Sequence, residues 1–173
     1  MSLASKMKDF ATFLAYSVVV EEEAADRHEE LADVMEVHNN LDVATTFRKL
    51  AHYSRLHARE IREHSEGIEL PVIAPWDFDW EGEEPPESTD SDEVHYLMNR
   101  AQALRLAMAN EKGAYDFYAE ISRDAPDEAV RKLAAEFAEE EKEHLELLEA
   151  WMEKIPESED EVPFDPDPAH MPE

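Results

Sequence analysis

The side chains in this chain best suited to chemistry are the carboxylate of Glu141 and the imidazole of His144. They are three positions apart, so on a helix they point in the same direction. That direction is inward, because both occupy places in an apolar stripe that runs from Phe137 to Leu148. A carboxylate and an imidazole inside an apolar seam are costly unless something compensates them, and a metal ion is the usual compensation. The pair therefore predicts a buried metal site.

Four stretches with the periodicity of amphipathic helices must position this pair and any further ligands. They run from about Ser2 to His38, from about Asp42 to Ser65, from near Ser91 to Ala125, and from Pro126 to about Pro156. Asn39-Asn40 predicts a tight turn between the first two, and Gly67 predicts a stop after the second. Ser91 is a candidate cap for the third stretch. The chain is thus predicted to be all-α.

The lengths of the connections indicate how these helices are arranged. A long segment, about 68–90, contains four prolines and separates two pairs of helices that are each joined by a short turn. A loop this long in a compact domain needs a reason, and a crossover between parallel helices at opposite ends of a bundle is one. The pattern predicts a four-helix bundle over residues 1–155, made of two helical hairpins joined by the crossover.

Two segments outside the helices have their own character. Trp76, Phe78 and Trp80 lie in the crossover, where we expect them to hold it against the side of the bundle. The tail, residues 156–173, is acidic and proline-rich and contains no Lys or Arg. Such a composition cannot bury enough apolar surface to fold, so the tail is predicted to be disordered or loosely draped on the bundle.

The composition excludes several classes of function. Lys and Arg number 16 against 44 Asp and Glu, which gives a formal net charge of -28. A surface this acidic repels nucleic acid and anionic membranes, so we expect neither as a partner. The chain has no cysteine, which excludes disulfides, iron–sulfur clusters and thiol catalysis. No apolar run has membrane-spanning length and no signal peptide is evident, so we expect a soluble, cytoplasmic protein.

The two predicted hairpins have similar sequences. The similar segments are 20–28 with 110–118, and 47–57 with 134–144. In this register the paired residues are Glu21 with Glu111, His57 with His144, and Ser54 with Glu141. The first hairpin therefore repeats the acidic and imidazole positions of the second, except at Ser54.

At this point the chain resembles the rubrerythrin branch of the ferritin-like superfamily, over roughly residues 5–155. The most specific part is Glu111-x-x-Ala114-x-x-Phe117-Tyr118 followed by Glu141-x-x-His144. The resemblance implies a ferritin-like bundle in which one glutamate from each of the first and third helices, and a Glu-x-x-His from each of the second and fourth, enclose two metal ions. The ligands that it implies here are Glu21, His57, Glu111, Glu141 and His144.

Ser54 departs from the family pattern, because a glutamate is expected at its position. Four carboxylates would neutralise two divalent ions, whereas three leave the site short of charge and of one bridging ligand. Solvent could bridge instead, one ion could bind weakly, or a nearby acid could substitute. Glu60, one turn beyond His57, is the first candidate substitute; Glu22 is another, although it points about 100° away from Glu21 on a helix. We expect a site that binds metal with one position weakened.

Simpler interpretations stay open for several residues. The acidic neighbours on the fourth helix, such as Glu140, are expected to form a solvated face. His57 could be a buried, hydrogen-bonded histidine instead of a ligand. His28 lies about 10 Å from Glu21 along the helix, too far to share an ion, so we expect it beside a ligand or in the core. Tyr118 could donate a hydrogen bond to a ligand or simply pack in the core.

The resemblance implies a redox function. Carboxylate and imidazole ligands suit iron, manganese or zinc, and the resemblance favours iron among them. With two Fe(II) ions, the protein would be an oxidase or peroxidase that reduces O₂ or H₂O₂. Because no cysteine is available for the rubredoxin-like domain that family members often carry, an external electron donor would be needed, or the protein would oxidise Fe(II) itself. The alternatives are a metal-binding or iron-handling protein without turnover, and a helical interaction module with a vestigial site. A homodimer is expected by the same resemblance.

Overall fold

The computed structural model describes residue 7 and residues 9–73 and 99–157. These residues form four helices: α1 (Phe10–Val37), α2 (Leu41–His64), α3 (Arg100–Asp124) and α4 (Glu128–Met152). The described ranges contain no strand. The prediction of an all-α fold is confirmed.

Side-chain caps define where three of the helices begin. Asp9 accepts a hydrogen bond from the Thr12 amide at 2.8 Å, so α1 starts at Phe10 and not near Ser2. Asn99 and Gln102 form a capping box with bonds of 2.8 and 2.9 Å, so α3 starts at Arg100. The predicted cap at Ser91 is therefore wrong for this helix, and residues 91–98 lie outside the described part.

The other predicted boundaries agree more closely with the structure. Asp127 accepts from the Ala129 amide at 2.7 Å and caps α4. This helix ends at Met152, and tight turns continue the chain to Ile155, the residue before Pro156, where helical geometry is disfavoured. The turn between α1 and α2 is at Asn39-Asn40 as predicted, and Asn39 adopts the left-handed conformation that asparagine tolerates, with φ 59°.

The helices form two antiparallel hairpins, α1 with α2 and α3 with α4, and α1 also packs against both helices of the second hairpin. One apolar cluster joins residues such as Phe13, Ile61 and Phe137. A second cluster, at the other end, joins residues such as Met35 and Leu148. The second cluster contains the beginnings of both α2 and α3, so these helices are parallel, as a crossover connection requires.

Between the two apolar clusters lies a layer of buried polar side chains. We call it the polar layer; its members are Glu21, His28, Ser54, Glu111, Glu141 and His144. Packed hydrophobic residues on either side make this layer the part of the bundle in which unpaired polar groups would be most costly.

Several predictions concern residues that the structure does not describe. Most of the expected crossover, with Trp76, Phe78 and Trp80, falls outside the described ranges, as does the tail beyond residue 157. None of the described helices combines the length and apolar character needed to cross a membrane.

Candidate metal centre

The polar layer contains three carboxylates from three different helices. Glu21 on α1, Glu111 on α3 and Glu141 on α4 are each only 1% exposed. Three buried glutamates in one layer of a dry core would repel one another if all were ionised without compensation. The arrangement therefore requires positive charge, which protons or metal ions can supply.

His144 connects two of these carboxylates. Its Nδ1 lies 3.1 Å from Glu111 Oε2 and 3.3 Å from Glu141 Oε2. Glu111, Glu141 and His144 each offer a ligand atom, and these three atoms lie within 4.8 Å of one another. The structure thus brings three of the predicted ligands, from α3 and α4, into one group.

A second group joins the first hairpin to the same glutamate. His57 Nδ1 lies 3.7 Å from Glu21 Oε2, and ligand atoms of Glu21, His57 and Glu141 also lie within 4.8 Å of one another. Glu141 is common to both groups. All five residues that the resemblance implied as ligands therefore converge, and one carboxylate lies between two possible ion positions.

Whether a cation fits the second group can be judged from three of its buried atoms. Glu21 Oε2, His57 Nδ1 and Glu141 Oε1 each lack a hydrogen-bond partner within the described ranges. Buried polar atoms are nearly always paired, so three unpaired atoms on three converging side chains need an explanation. Each of these atoms is a metal-ligand type, and a shared cation would satisfy them together.

The same contacts determine where protons reside when no metal is bound. Burial alone would raise the pKa of Glu111, but hydrogen bonds with His144 and His28 outweigh burial and hold it well below its usual range. Burial would lower the pKa of His144, but hydrogen bonds with Glu111 and Glu141 raise it to about 11. Burial raises the pKa of Glu141 well above its ordinary value, and the charge of Glu21 adds to this. Metal binding would thus displace protons from the centre.

Two further buried side chains hold the carboxylates in place. His28 Nε2 lies 2.9 Å from Glu111 Oε1, and its ring stacks on Phe47 at a centroid distance of 6.3 Å. Tyr118 donates its hydroxyl hydrogen to Glu21 Oε1 at 3.3 Å. For both residues the sequence left open a contact with a ligand or simple packing in the core, and the structure shows the contact. Each contact restricts the rotation of a candidate ligand.

Three parallel rings form one wall of the centre. The ring of His144 stacks on that of Tyr53 at 6.0 Å and on that of His57 at 5.6 Å, with interplanar angles of 9° and 8°. A pocket of about 440 Å³ opens on this wall and is lined by Lys49, Tyr53, His57, Glu140, Glu143, His144 and Leu147. A small molecule can therefore approach both histidines from outside the bundle.

Ser54 is 2% exposed and occupies the position where a fourth glutamate was expected. The second helix therefore places no carboxylate in the polar layer. Neither predicted substitute takes its place. Glu60 is exposed and belongs to neither group of converging residues, and Glu22 is exposed and pairs with Arg62. On an amphipathic helix, one step in sequence was enough to turn Glu22 toward solvent.

Glu140 corrects the prediction of a fully solvated acidic face on α4. Its Oε2 lies 3.5 Å from His57 Nε2, and its side chain is 38% exposed. Burial raises the pKa of Glu140, an effect that the positive charge of His57 opposes. The contact joins residues of α2 and α4. Glu140 precedes His144 by four residues, so helical periodicity places it at the edge of the buried face of α4 but does not give its partner on α2.

Comparison with known proteins agrees with this geometry. A sequence model of the rubrerythrin family matches residues 12–152, and a second match covers residues 102–170. No curated protein sequence is significantly similar to the chain. The crystal structure of an uncharacterized conserved protein from Magnetospirillum magnetotacticum MS-1 is similar, with 44% sequence identity, a TM-score of 0.72, and coverage of 86% of this chain and 96% of that one. This chain therefore belongs to the rubrerythrin family.

Proposed function

We propose that this protein binds two metal ions, iron by preference, in the polar layer. Glu21, His57 and Glu141 would hold one ion, and Glu111, Glu141 and His144 the other. The observation that carries the proposal is the position of Glu141, whose carboxylate belongs to both groups. Its Oε2 lies 3.3 Å from His144 Nδ1, while its Oε1 is buried without a hydrogen-bond partner among the described residues.

The donor atoms support iron over harder or softer cations. Carboxylate oxygens and imidazole nitrogens are borderline ligands that suit iron, manganese or zinc, whereas magnesium and calcium prefer oxygen alone. The chain has no cysteine, the ligand that copper(I) and many structural zinc sites use. Membership of the rubrerythrin family adds to the preference for iron.

The proposed activity is that of an oxidase or peroxidase. Two Fe(II) ions bound here would supply the two electrons that, with two protons, reduce H₂O₂ to two molecules of water, or begin the reduction of O₂. The protein's own contribution is access and positioning. The pocket beside His57 and His144 admits a small oxidant, and the ring of Tyr53 covers the outer face of His144. The apolar clusters on both sides of the layer limit the entry of bulk water.

Continuous turnover needs electrons from outside this chain. Because the sequence contains no cysteine, it provides no iron–sulfur site to pass electrons to the centre. The donor we propose is therefore a separate molecule, and in its absence each centre would oxidise its own Fe(II) once. A homodimer and a cytoplasmic location remain predictions that accompany this proposal.

The activity can be tested with protein loaded with Fe(II) under anaerobic conditions and mixed with H₂O₂. Iron oxidation, followed by absorbance in a stopped-flow instrument, should be much faster than in a Glu111→Ala, Glu141→Ala double variant. The matched control is Glu136→Ala with Glu139→Ala, because both residues are exposed on α4. Helix content and thermal midpoint, from circular dichroism, identify any variant that fails to fold. Equal oxidation rates in folded wild-type and double-variant protein would contradict the enzyme function.

A second function, metal binding without turnover, is favoured by one observation. Ser54 leaves the centre with three buried carboxylates in place of four, so the charge of two divalent ions is not fully compensated by the proposed ligands. Such a centre could retain or transfer iron. Stoichiometric metal uptake, combined with oxidation no faster than that of free Fe(II), would select this function over the enzyme.

A further inference from the structure

One carboxylate beside the centre is not among the five proposed ligands. The side chain of Glu140 is 38% exposed and approaches His57 Nε2 to 3.5 Å. Its neighbour Glu139 is 67% exposed and pairs with Lys142 at 3.1 Å instead. Adjacent glutamates on α4 therefore have different surroundings, and only Glu140 turns toward α2.

His57 lies between two carboxylates and presents a different nitrogen to each. Nδ1 lies 3.7 Å from Glu21 Oε2 on the inner side, and Nε2 faces Glu140 on the pocket side. Nδ1 is also one of the buried atoms without a hydrogen-bond partner in the described ranges. A neutral imidazole with its proton on Nε2 has its lone pair on Nδ1, and that lone pair would point at the ion position.

The charge of the centre is incomplete without a further acid. Two divalent ions carry four positive charges, and the buried carboxylates Glu21, Glu111 and Glu141 offer three negative ones. Ser54, at the position where a fourth glutamate is expected, is neutral and buried. The predicted substitutes Glu22 and Glu60 are exposed, whereas Glu140 contacts His57, one of the proposed ligands.

From these contacts we infer that Glu140 is a positioning residue of the metal centre, acting through His57. It accepts the Nε2 proton of His57, holds the imidazole in the tautomer that turns Nδ1 to the ion, and supplies the fourth negative charge. Metal-binding histidines commonly pass their second N–H to a carboxylate in this way. The inference rests on the proposed function, because it assigns a role only if metal binds.

Two substitutions separate the hydrogen bond from the charge. Glu140→Gln keeps an oxygen that can accept from Nε2 but removes the charge, whereas Glu140→Ala removes both. Glu139→Gln and Glu139→Ala are the controls, since they make the same changes one position away on a solvated side chain. Binding of Mn(II) and Zn(II) to each protein would be measured by competition with a chelator of known affinity.

We expect Glu140→Ala to weaken binding of the ion held by Glu21, His57 and Glu141 by about 10-fold to 100-fold, which is the usual cost of losing such a carboxylate. The metal affinity of Glu140→Gln should lie between those of Glu140→Ala and wild type, and the affinities of both Glu139 variants should match wild type. If Glu140→Ala binds both ions as tightly as Glu139→Ala does, the inference is wrong while the proposed metal centre stands. If wild-type protein takes up no metal, the proposed function itself fails.

Nuclear magnetic resonance provides a readout that a merely structural role would not change. In zinc-loaded protein, long-range ¹H–¹⁵N correlations should show His57 bound through Nδ1 with a proton on Nε2. That proton should exchange with solvent faster in Glu140→Ala than in Glu139→Ala. Zinc bound through Nε2 of His57 would overturn the inference, because Glu140 could then accept no proton from that nitrogen.

Discussion

His28 Nε2 lies 2.9 Å from Glu111 Oε1, so a histidine of α1 contacts a candidate ligand of α3 across the bundle. His28 follows Glu21 by seven residues on the same face of α1. Helix α1 therefore contributes two residues to the candidate centre, the candidate ligand Glu21 and a histidine that contacts the candidate ligand of α3. Because His28 is only 2% exposed, this contact is shielded from solvent and limits the rotation of the Glu111 carboxylate.

The first prediction concerns this contact. His28→Phe keeps an aromatic ring against Phe47, where the two rings are 6.3 Å apart, but removes the hydrogen bond to Glu111. We expect metal affinity to fall by about 10-fold to 100-fold, because an unheld ligand loses orientation. Calorimetric metal titration measures this, with His52→Phe on the exposed face of α2 as the control. Unchanged affinity in His28→Phe would show that Glu111 is held by other contacts.

The second prediction concerns the protons held by the metal-free centre. The pKa of His144 is raised to about 11, so between about pH 6.5 and that value the folded chain binds more protons at this site than the unfolded chain does. The raised pKa of Glu141 acts in the same direction from its ordinary value upward. The stability that His144 contributes is therefore fully present below about pH 6.5 and is lost as pH rises toward 11.

The expected result is a thermal midpoint that falls when metal-free protein is moved from about pH 6.5 to about pH 9. Loading with Zn(II) should remove this fall, because the ion replaces the protons and binds more tightly as pH rises. A His144→Gln variant should lose most of the pH dependence in the metal-free state. Midpoints measured by scanning calorimetry at several pH values provide the comparison. A midpoint that rises with pH in metal-free wild-type protein would contradict the assigned protonation.

Much of this centre could be predicted from the sequence, because helical periodicity shows which side chains of a helix point into the bundle. Glu111, Glu141 and His144 interrupt apolar stripes, and a polar residue in such a stripe has to point inward. Glu140 lies one turn before His144 at the edge of the stripe on α4, so the pattern gives its side of the helix but not its partner. Its approach to His57 depends on how closely α4 packs on α2, and no pattern within one helix contains that distance.

The accuracy of the predicted boundaries differs between α2 and α3. The limits of α2 were predicted within one residue, because the Asn39-Asn40 turn and Gly67, which adopts a left-handed conformation with φ 81°, lie just outside its two ends. The start of α3 was predicted too early because the prediction rested on the hydroxyl of Ser91 alone, although Asn99 followed by Gln102 has the spacing of a capping box. Gln102 completes the capping box at Asn99, and that reciprocal pair defines the start.

The third prediction uses the position of Glu141 in both groups. Glu141→Ala should abolish binding of both ions, since each group then loses its shared carboxylate. Glu21→Ala and Glu111→Ala should each weaken mainly one ion, because each of these residues belongs to one group. Metal content after dialysis, measured by mass spectrometry, should therefore fall further for Glu141→Ala than for either other variant. Equal losses in all three variants would show that the two positions are filled only together.

The last prediction tests the register between the two hairpins. Ser54 is buried and precedes His57 by one helical turn, as Glu141 precedes His144. Ser54→Glu should therefore place a fourth carboxylate in the polar layer, which raises the affinity for the weaker ion and speeds the oxidation of Fe(II). In metal-free protein the same change adds another buried acid, so the thermal midpoint should fall and then recover on metal binding. Ser54→Gln is the control, since it adds similar volume without the charge, and it should bind no more metal than wild type. If Ser54→Glu behaves like Ser54→Gln in metal content, affinity and oxidation rate, then residue 54 does not face the ions, and the correspondence between Ser54 and Glu141 is wrong.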